Sequence, residues 1–186
     1  MLNNNPDLPQ APAQLPRAAC CFVLREDGKV LGVTLETELD VLAGPAADFP
    51  ARYTWGTPGG GCEGHESPED CARRELFEET GYVAGALVPL HAAVNDGCLS
   101  SSYVAHVVAA EAGAPRRAPG EGFACWIDPI LLLSGPYSDF NAAALVKLGL
   151  LRWVEVQQDN GYLELRLESK SGARSERAWT LTRVAK

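Results

Sequence analysis

No window of this chain holds eighteen consecutive apolar residues, so nothing in it reads as a membrane-spanning helix. The stretch from Met1 to Pro16 lacks the basic and apolar regions of a secretion signal, and the expected location is the cytoplasm. An excess of cationic side chains is missing too: 16 Lys+Arg stand against 24 Asp+Glu, a formal net charge of −8. Phosphate recognition by nucleic-acid binders leaves a basic footprint, and this balance argues against dedicated nucleic-acid binding. It leaves open a phosphorylated substrate held through a metal. The six cysteines (Cys20, Cys21, Cys62, Cys71, Cys98 and Cys125) contain no C-x-x-C pair and no Cys/His cluster at zinc spacing. Scattered over 186 residues, enough for a core without staples, they read as reduced, packed thiols. With 46 % apolar and 22 % charged residues, the chain has the makings of a real core.

Pro6, Pro9, Pro12 and Pro16, with Asn3 to Asn5, cannot nucleate a core, and residues 1–17 read as a flexible proline-rich arm. Ordered structure is expected from Ala18: a strand, a turn at Asp27-Gly28 and a second strand from Val30. Residues 37–58 are irregular and lead through Trp55 into Pro58-Gly-Gly-Gly61. A helix is predicted from Ser67 to Thr80, with Ser67 as N-cap, Pro68 at the first position, Glu69 and Asp70 in the first turn and Gly81 as the stop. Further strands are predicted over Ser100–Ala110 and Phe123–Asp128, then a helix capped by Ser138. Alternating segments at Trp153–Gln157, Tyr162–Glu168 and Ala178–Val184 read as an antiparallel meander. The expected division is an arm (1–17), a main domain (18–150) and a β extension packed on it (151–186).

The chemistry concentrates in residues 60–82, where seven acids and two bases give a net charge of −5. At 100° per residue, Glu75, Glu78 and Glu79 fall within about one 100° sector of the helix. Three carboxylates on one face repel one another unless a cation sits among them. Such faces are often merely solvated. Here they follow directly on a glycine loop whose backbone can approach a ligand, and hard oxygen donors of this kind suit Mg²⁺ or Mn²⁺.

The residues Gly60, Glu66, Arg74, Glu75, Leu76, Glu78, Glu79, Gly81 and Tyr82 stand at the spacing of the Nudix hydrolase signature, and the segment resembles that family. Seven of these positions require one residue type, so a chance match has a probability near ~10⁻⁸ per window. The resemblance implies an α/β Nudix fold, a mixed β-sheet between α-helices, followed here by the antiparallel β extension. It implies an Mg²⁺- or Mn²⁺-dependent pyrophosphohydrolase acting on a nucleoside diphosphate linked to another moiety. By the same resemblance Glu78 and Glu79 would hold the metals with the Gly60 carbonyl. Glu75 would be a ligand or the group that activates water, Arg74 would orient Glu75, and Glu66 would support the site from behind.

Many family members draw a further carboxylate from a later loop. Glu121 stands where that residue is often found and is the candidate general base or additional ligand, with Glu111 the weaker choice. The segment Gly135–Asn141 is similar in placement to the base-contacting region of relatives that act on nucleoside triphosphates. Asn141 would pair with a base edge and Phe140 or Tyr137 would stack on it, unless Phe140 belongs to the core. Trp55 is a substrate wall or a core residue. Gly97 to Ser100 occupy the stretch where ADP-ribose hydrolases usually carry a proline and dinucleoside polyphosphate hydrolases a tyrosine. The expected substrate is therefore a nucleoside triphosphate, cleaved to monophosphate and pyrophosphate. The alternatives are ADP-ribose, a nucleotide sugar or a dinucleoside polyphosphate, or a nucleotide-sensing module without turnover. The oligomeric state, monomer or homodimer, stays open at this point.

Overall fold

The computed structural model describes residues 15–34, 53–108, 123–135, 137–159 and 162–182. Most of the proline-rich arm, and Glu111 and Glu121, lie outside them. The turn expected at Asp27-Gly28 is present: the Arg25 amide donates to the Lys29 carbonyl at 2.9 Å, and Gly28 takes φ +86°. Its flanking strands, β1 (Arg17–Phe22) and β2 (Val30–Thr34), do not continue as a simple hairpin. After the Leu24↔Val30 bridge they enter different sheets.

Alternation along β1 explains this. Ala19 and Cys21 enter one buried cluster, whereas Phe22 enters another. Likewise Val30 of β2 joins the second cluster and Leu31 and Val33 the first. Strands buried on both faces sit between two layers. One layer is α1 (Pro68–Thr80), which contributes Cys71, Ala72 and Leu76. The other is α2 (Ser138–Lys147), which contributes Ala142, Ala144 and Leu145. This is the α/β architecture, with sheet between helices, expected from the sequence.

The short strands β3 (Trp55–Gly56) and β4 (Gly59–Gly61) follow β2, and β5 (Val83–Asn95) and β6 (Cys98–Val108) follow α1. The larger sheet has the order β4-β1-β6-β5, with β1 parallel to β6 and its other pairs antiparallel. β7 (Ala124–Ile127) completes the sheet β3-β2-β7 and leads into a 3₁₀ turn at Pro129–Leu133. Among the described residues no helix is long and apolar enough to cross a membrane.

Two differences from the sequence expectation have physical causes. β5 carries Gly85, Pro89 and several alanines with no clean alternation, and its register against β6 shifts at Ala84/Ala86 and Pro89/His91. Its pairing comes from β6 and from the Asp96-Gly97 turn, where both residues have positive φ (47° and 75°). That dipeptide is the signal that would have revealed the strand. Ser138 does not cap α2: the N-cap position is Tyr137, with no side-chain capping bond. The Ser138 hydroxyl instead accepts from Arg177 Nη1 at 3.0 Å.

The carboxy-terminal strands β8 (Leu151–Asp159), β9 (Tyr162–Ser169) and β10 (Trp179–Thr182) form an antiparallel sheet in the order β10-β9-β8. Leu151 and Leu167 seat it on the cluster that holds Phe22 and Trp55. Glu168 bridges Arg152 (2.5 Å) and Arg174 (2.9 Å), and the Arg152 and Arg174 guanidiniums hold its carboxyl below the usual range.

Candidate active site

The start of α1 is set by its own sequence. Ser67 Oγ accepts from the Asp70 amide at 3.1 Å, Pro68 occupies the first helical position, and Gly81, at φ +73°, lets its amide return to the Phe77 carbonyl at 2.7 Å. Cys71, Ala72, Leu76 and Thr80 are buried, which turns Glu75, Glu78 and Glu79 toward the glycine strand β4 and solvent.

Arg74 organises that face. Its Nε and Nη2 grip both oxygens of Glu66 at 3.1 and 3.0 Å, and its Nη1 donates to Glu75 at 2.8 Å and to Glu78 at 3.0 Å. Nη2 also reaches the Gly61 carbonyl at 3.0 Å, tying the helix to β4. The bidentate guanidinium holds the Glu66 carboxyl below the usual carboxylate range, and the acids in turn keep Arg74 more firmly protonated. Glu79 points elsewhere, its Oε2 accepting from the Gly59 amide at 2.8 Å.

β4 approaches the helix closely. A Cβ placed on Gly60 would lie 2.6 Å from Glu75 Oε1, and one on Gly59 would lie 2.4 Å from the Cys20 Cβ. Gly60→Ala is therefore expected to push the Glu75 carboxylate aside. The expected outcome is about a hundredfold loss of turnover, with a melting temperature that moves by only a few degrees; steady-state kinetics beside a thermal melt checks it.

Between β1, β4 and the start of α2 lies a cavity of about 320 Å³. Its lining brings together Gly60, Glu79, Trp55, Phe140 and Asn141, which the sequence separates by up to 86 positions (141 − 55). Glu75, Glu78 and Arg74 stand outside it, on the helix face beside β4. Trp55 is fully buried and edge-on to Tyr53 at 6.4 Å, so its side chain is a wall and part of the core. Phe140 is also buried, its ring 5.1 Å from that of His91. Tyr137 is about half exposed at the rim.

Asn141 is 2 % exposed, its Nδ2 donates to the Leu132 carbonyl at 3.2 Å, and its Oδ1 has no hydrogen-bond partner among the described residues. A buried amide oxygen left unpaired is costly. Cys20, another lining residue, has its thiol pushed up to about 11 by burial, which keeps it protonated and unreactive at neutral pH.

A family model for the NUDIX domain matches residues 14–146, well over half of the chain. The chain belongs to the Nudix hydrolase family. Its fold is similar to that of a protein assigned to this family from Chromobacterium violaceum (18 % identity, TM-score 0.53, covering 75 % of this chain and 81 % of the other). It is likewise similar to the MutT Nudix hydrolase of Burkholderia pseudomallei (19 % identity, TM-score 0.50, covering 71 % and 98 %). At these identities the likeness speaks for the fold. The protein is a Nudix pyrophosphohydrolase, an enzyme of a family that generally uses divalent metal ions.

Among the described residues, no three His, Cys, Asp or Glu side chains converge as a metal cluster in this Nudix protein. The geometry above supplies the reason. Glu66, Glu75 and Glu78 turn onto Arg74, whereas Glu79 turns onto the Gly59 amide. The donor set nonetheless fits a hard divalent cation. It consists of carboxylates and a nearby glycine backbone, with Glu75 packed against Gly60, and the four glutamates with Arg74 sum to −3. Sequence reasoning missed Arg17, which it assigned to the flexible arm. Arg17 opens β1 and lines the cavity, a position visible only from the pairing of β1 with its neighbours.

Proposed function

We propose that this Nudix enzyme hydrolyses a nucleoside triphosphate to the monophosphate and pyrophosphate with Mg²⁺ or Mn²⁺. The observation that carries this reading is Asn141: a buried amide among the residues lining the cavity that also contains Glu79, pinned by Leu132, with an Oδ1 that has no hydrogen-bond partner among the described residues. Because Nδ2 is committed to the Leu132 carbonyl, the oxygen is the acceptor on offer, and it suits a base edge that presents an N–H. Tyr137 at the rim is available to stack on the base.

In this reading Glu78, Glu79 and the Gly60 carbonyl hold the metal, and Glu75 either joins them or takes the proton of the attacking water. Arg74 holds Glu75 and Glu78 in place until the cation arrives. Glu121 is the proposed additional ligand or general base, and Trp55 and Phe140 form the cavity wall. The bound metal ions would lower the pKa of the attacking water and stabilise charge on the departing phosphate. Six free cysteines support a reducing compartment, the cytoplasm.

A panel of nucleoside triphosphates, nucleotide sugars, ADP-ribose and diadenosine polyphosphates with Mg²⁺, scored for the products of cleavage, tests the reading. The expected result is highest kcat/KM on a nucleoside triphosphate, with pyrophosphate released. Tight binding without turnover on any member would instead make the protein a nucleotide sensor. Asn141→Ala is expected to raise KM for the preferred triphosphate about 10- to 50-fold, with a much smaller change in kcat, since a contact to the base is made equally in ground and transition states.

A further inference from the structure

Tyr137, Phe140 and Asn141 bring the first turn of α2 to the cavity, yet that turn has no side-chain capping bond of its own. The Asn141 amide donates to the Tyr137 carbonyl at 2.9 Å, so residues 137–141 form one turn. At 100° per residue the three cavity residues share a sector of about 100°, and Ser138 and Asp139 fall on the opposite side.

That outer side is held by the carboxy-terminal sheet. Arg177 Nη1 donates to Ser138 Oγ and pairs with Asp139 Oδ1, each at 3.0 Å. Trp179 Nε1 donates to the same Asp139 oxygen at 3.3 Å, and the Arg177 guanidinium lies over the Trp179 ring, 5.1 Å from its centroid. Trp179 in turn packs against the cluster that holds Trp55, and the Trp153 ring of β8 meets it edge-on at 5.1 Å. Behind the arginine, buried Ser175 donates to the Arg177 carbonyl at 2.7 Å and accepts from the Leu167 amide at 3.1 Å, which fixes its backbone to β9.

An exposed ion pair adds little stability, and a cation near a helix N-terminus opposes the macrodipole. The arginine is therefore poorly placed as a cap. What it supplies is orientation: a rigid fork, backed by an indole and a fixed backbone, meets two consecutive residues of a turn whose other face lines the cavity.

We propose that Arg177 is a positioning residue for nucleotide binding: with Trp179 it holds the first turn of α2 from outside, so that Tyr137 and Asn141 are set for the base before substrate arrives. The proposal rests on the reading above in which Asn141 meets the base. Preorganisation of this kind acts on affinity and leaves the chemistry at the carboxylate helix unchanged.

Steady-state kinetics with Mg²⁺ on the best nucleoside triphosphate of the panel, beside thermal melts, compares wild type with R177A, R177K, D139A, R177A/D139A, R174Q and N141A. R177A is expected to raise KM about fivefold with kcat unchanged and a melting temperature within about 2 °C of wild type. R177K should recover part of the loss, and the double variant should raise KM no further than the worse single one. R174Q, which breaks the 2.9 Å pair with Glu168 in the same sheet, should keep the wild-type KM. If N141A raises KM and R177A does not, or if R174Q raises it as much as R177A, the positioning role is overturned and the nucleotide reading stands. An unchanged KM in N141A, or a wild type that cleaves no nucleoside triphosphate, overturns that reading and the proposal with it.

Discussion

Glu79→Gln is expected to lower kcat by about a thousandfold while the melting temperature stays level or rises. The substitution keeps the shape of the side chain and an oxygen able to accept the Gly59 amide hydrogen bond, now 2.8 Å long. It removes the charge from a helix face on which Glu75, Glu78 and Glu79 crowd together, so the metal-free fold loses repulsion rather than support. Catalysis is expected to change in the opposite sense, because in the proposed function Glu79 is a ligand of the hard cation that a polyphosphate needs beside it. Kinetics and thermal melts with and without Mg²⁺ check both halves. Added Mg²⁺ should raise the midpoint of wild type more than that of the variant. A fall of ten degrees in the metal-free midpoint would make Glu79 a structural residue.

Arg74→Ala is expected to cost both activity and stability: about a hundredfold in kcat/KM and roughly 5 °C in melting temperature. One guanidinium here gathers Glu66, Glu75, Glu78 and the Gly61 carbonyl. Its removal leaves those acids facing one another and takes away one of the ties between α1 and β4, the Glu79 bond to the Gly59 amide remaining. Lysine restores the charge but not the fork, so Arg74→Lys should recover more stability than activity. Full activity in the alanine variant would show that Glu75 and Glu78 need no support from Arg74.

The Nudix segment was legible in the sequence because its signals act over a single turn. Ser67, Pro68 and Gly81 bound α1 through hydrogen bonds spanning three or four residues, and the spacing of Glu75, Glu78 and Glu79 puts them on one face before any tertiary contact forms. The ion pair allowed by the Arg74 to Glu78 spacing is present at 3.0 Å. The mixed sheet between two helices was implied by the resemblance of this segment to the Nudix family.

Other features were not local. β5 has weak propensity and broken alternation, and its place depends on β6 beside it. Ser138 is the first residue of α2 rather than its cap, and its hydroxyl answers to Arg177, 39 residues away. Asn141 and Trp55 were singled out from their neighbours in sequence, yet only the fold distinguishes a buried amide with an unpartnered oxygen from an indole absorbed into the core.

By itself, the sequence determined the carboxylate-bearing helix, its caps, the glycine run before it, read as a loop and found as the strand β4, and the hydrolase family they mark, since each depends on residues within a few positions of one another. Tertiary structure alone decided which of those carboxylates meets the cavity, that Arg74 gathers Glu66, Glu75 and Glu78 while Glu79 turns to Gly59, and that Arg17 opens β1. The reason is physical: helix caps and charge spacing act through bonds a few residues long, whereas the cavity exists only once β1 has paired with β4 and β6 and buried both of its faces.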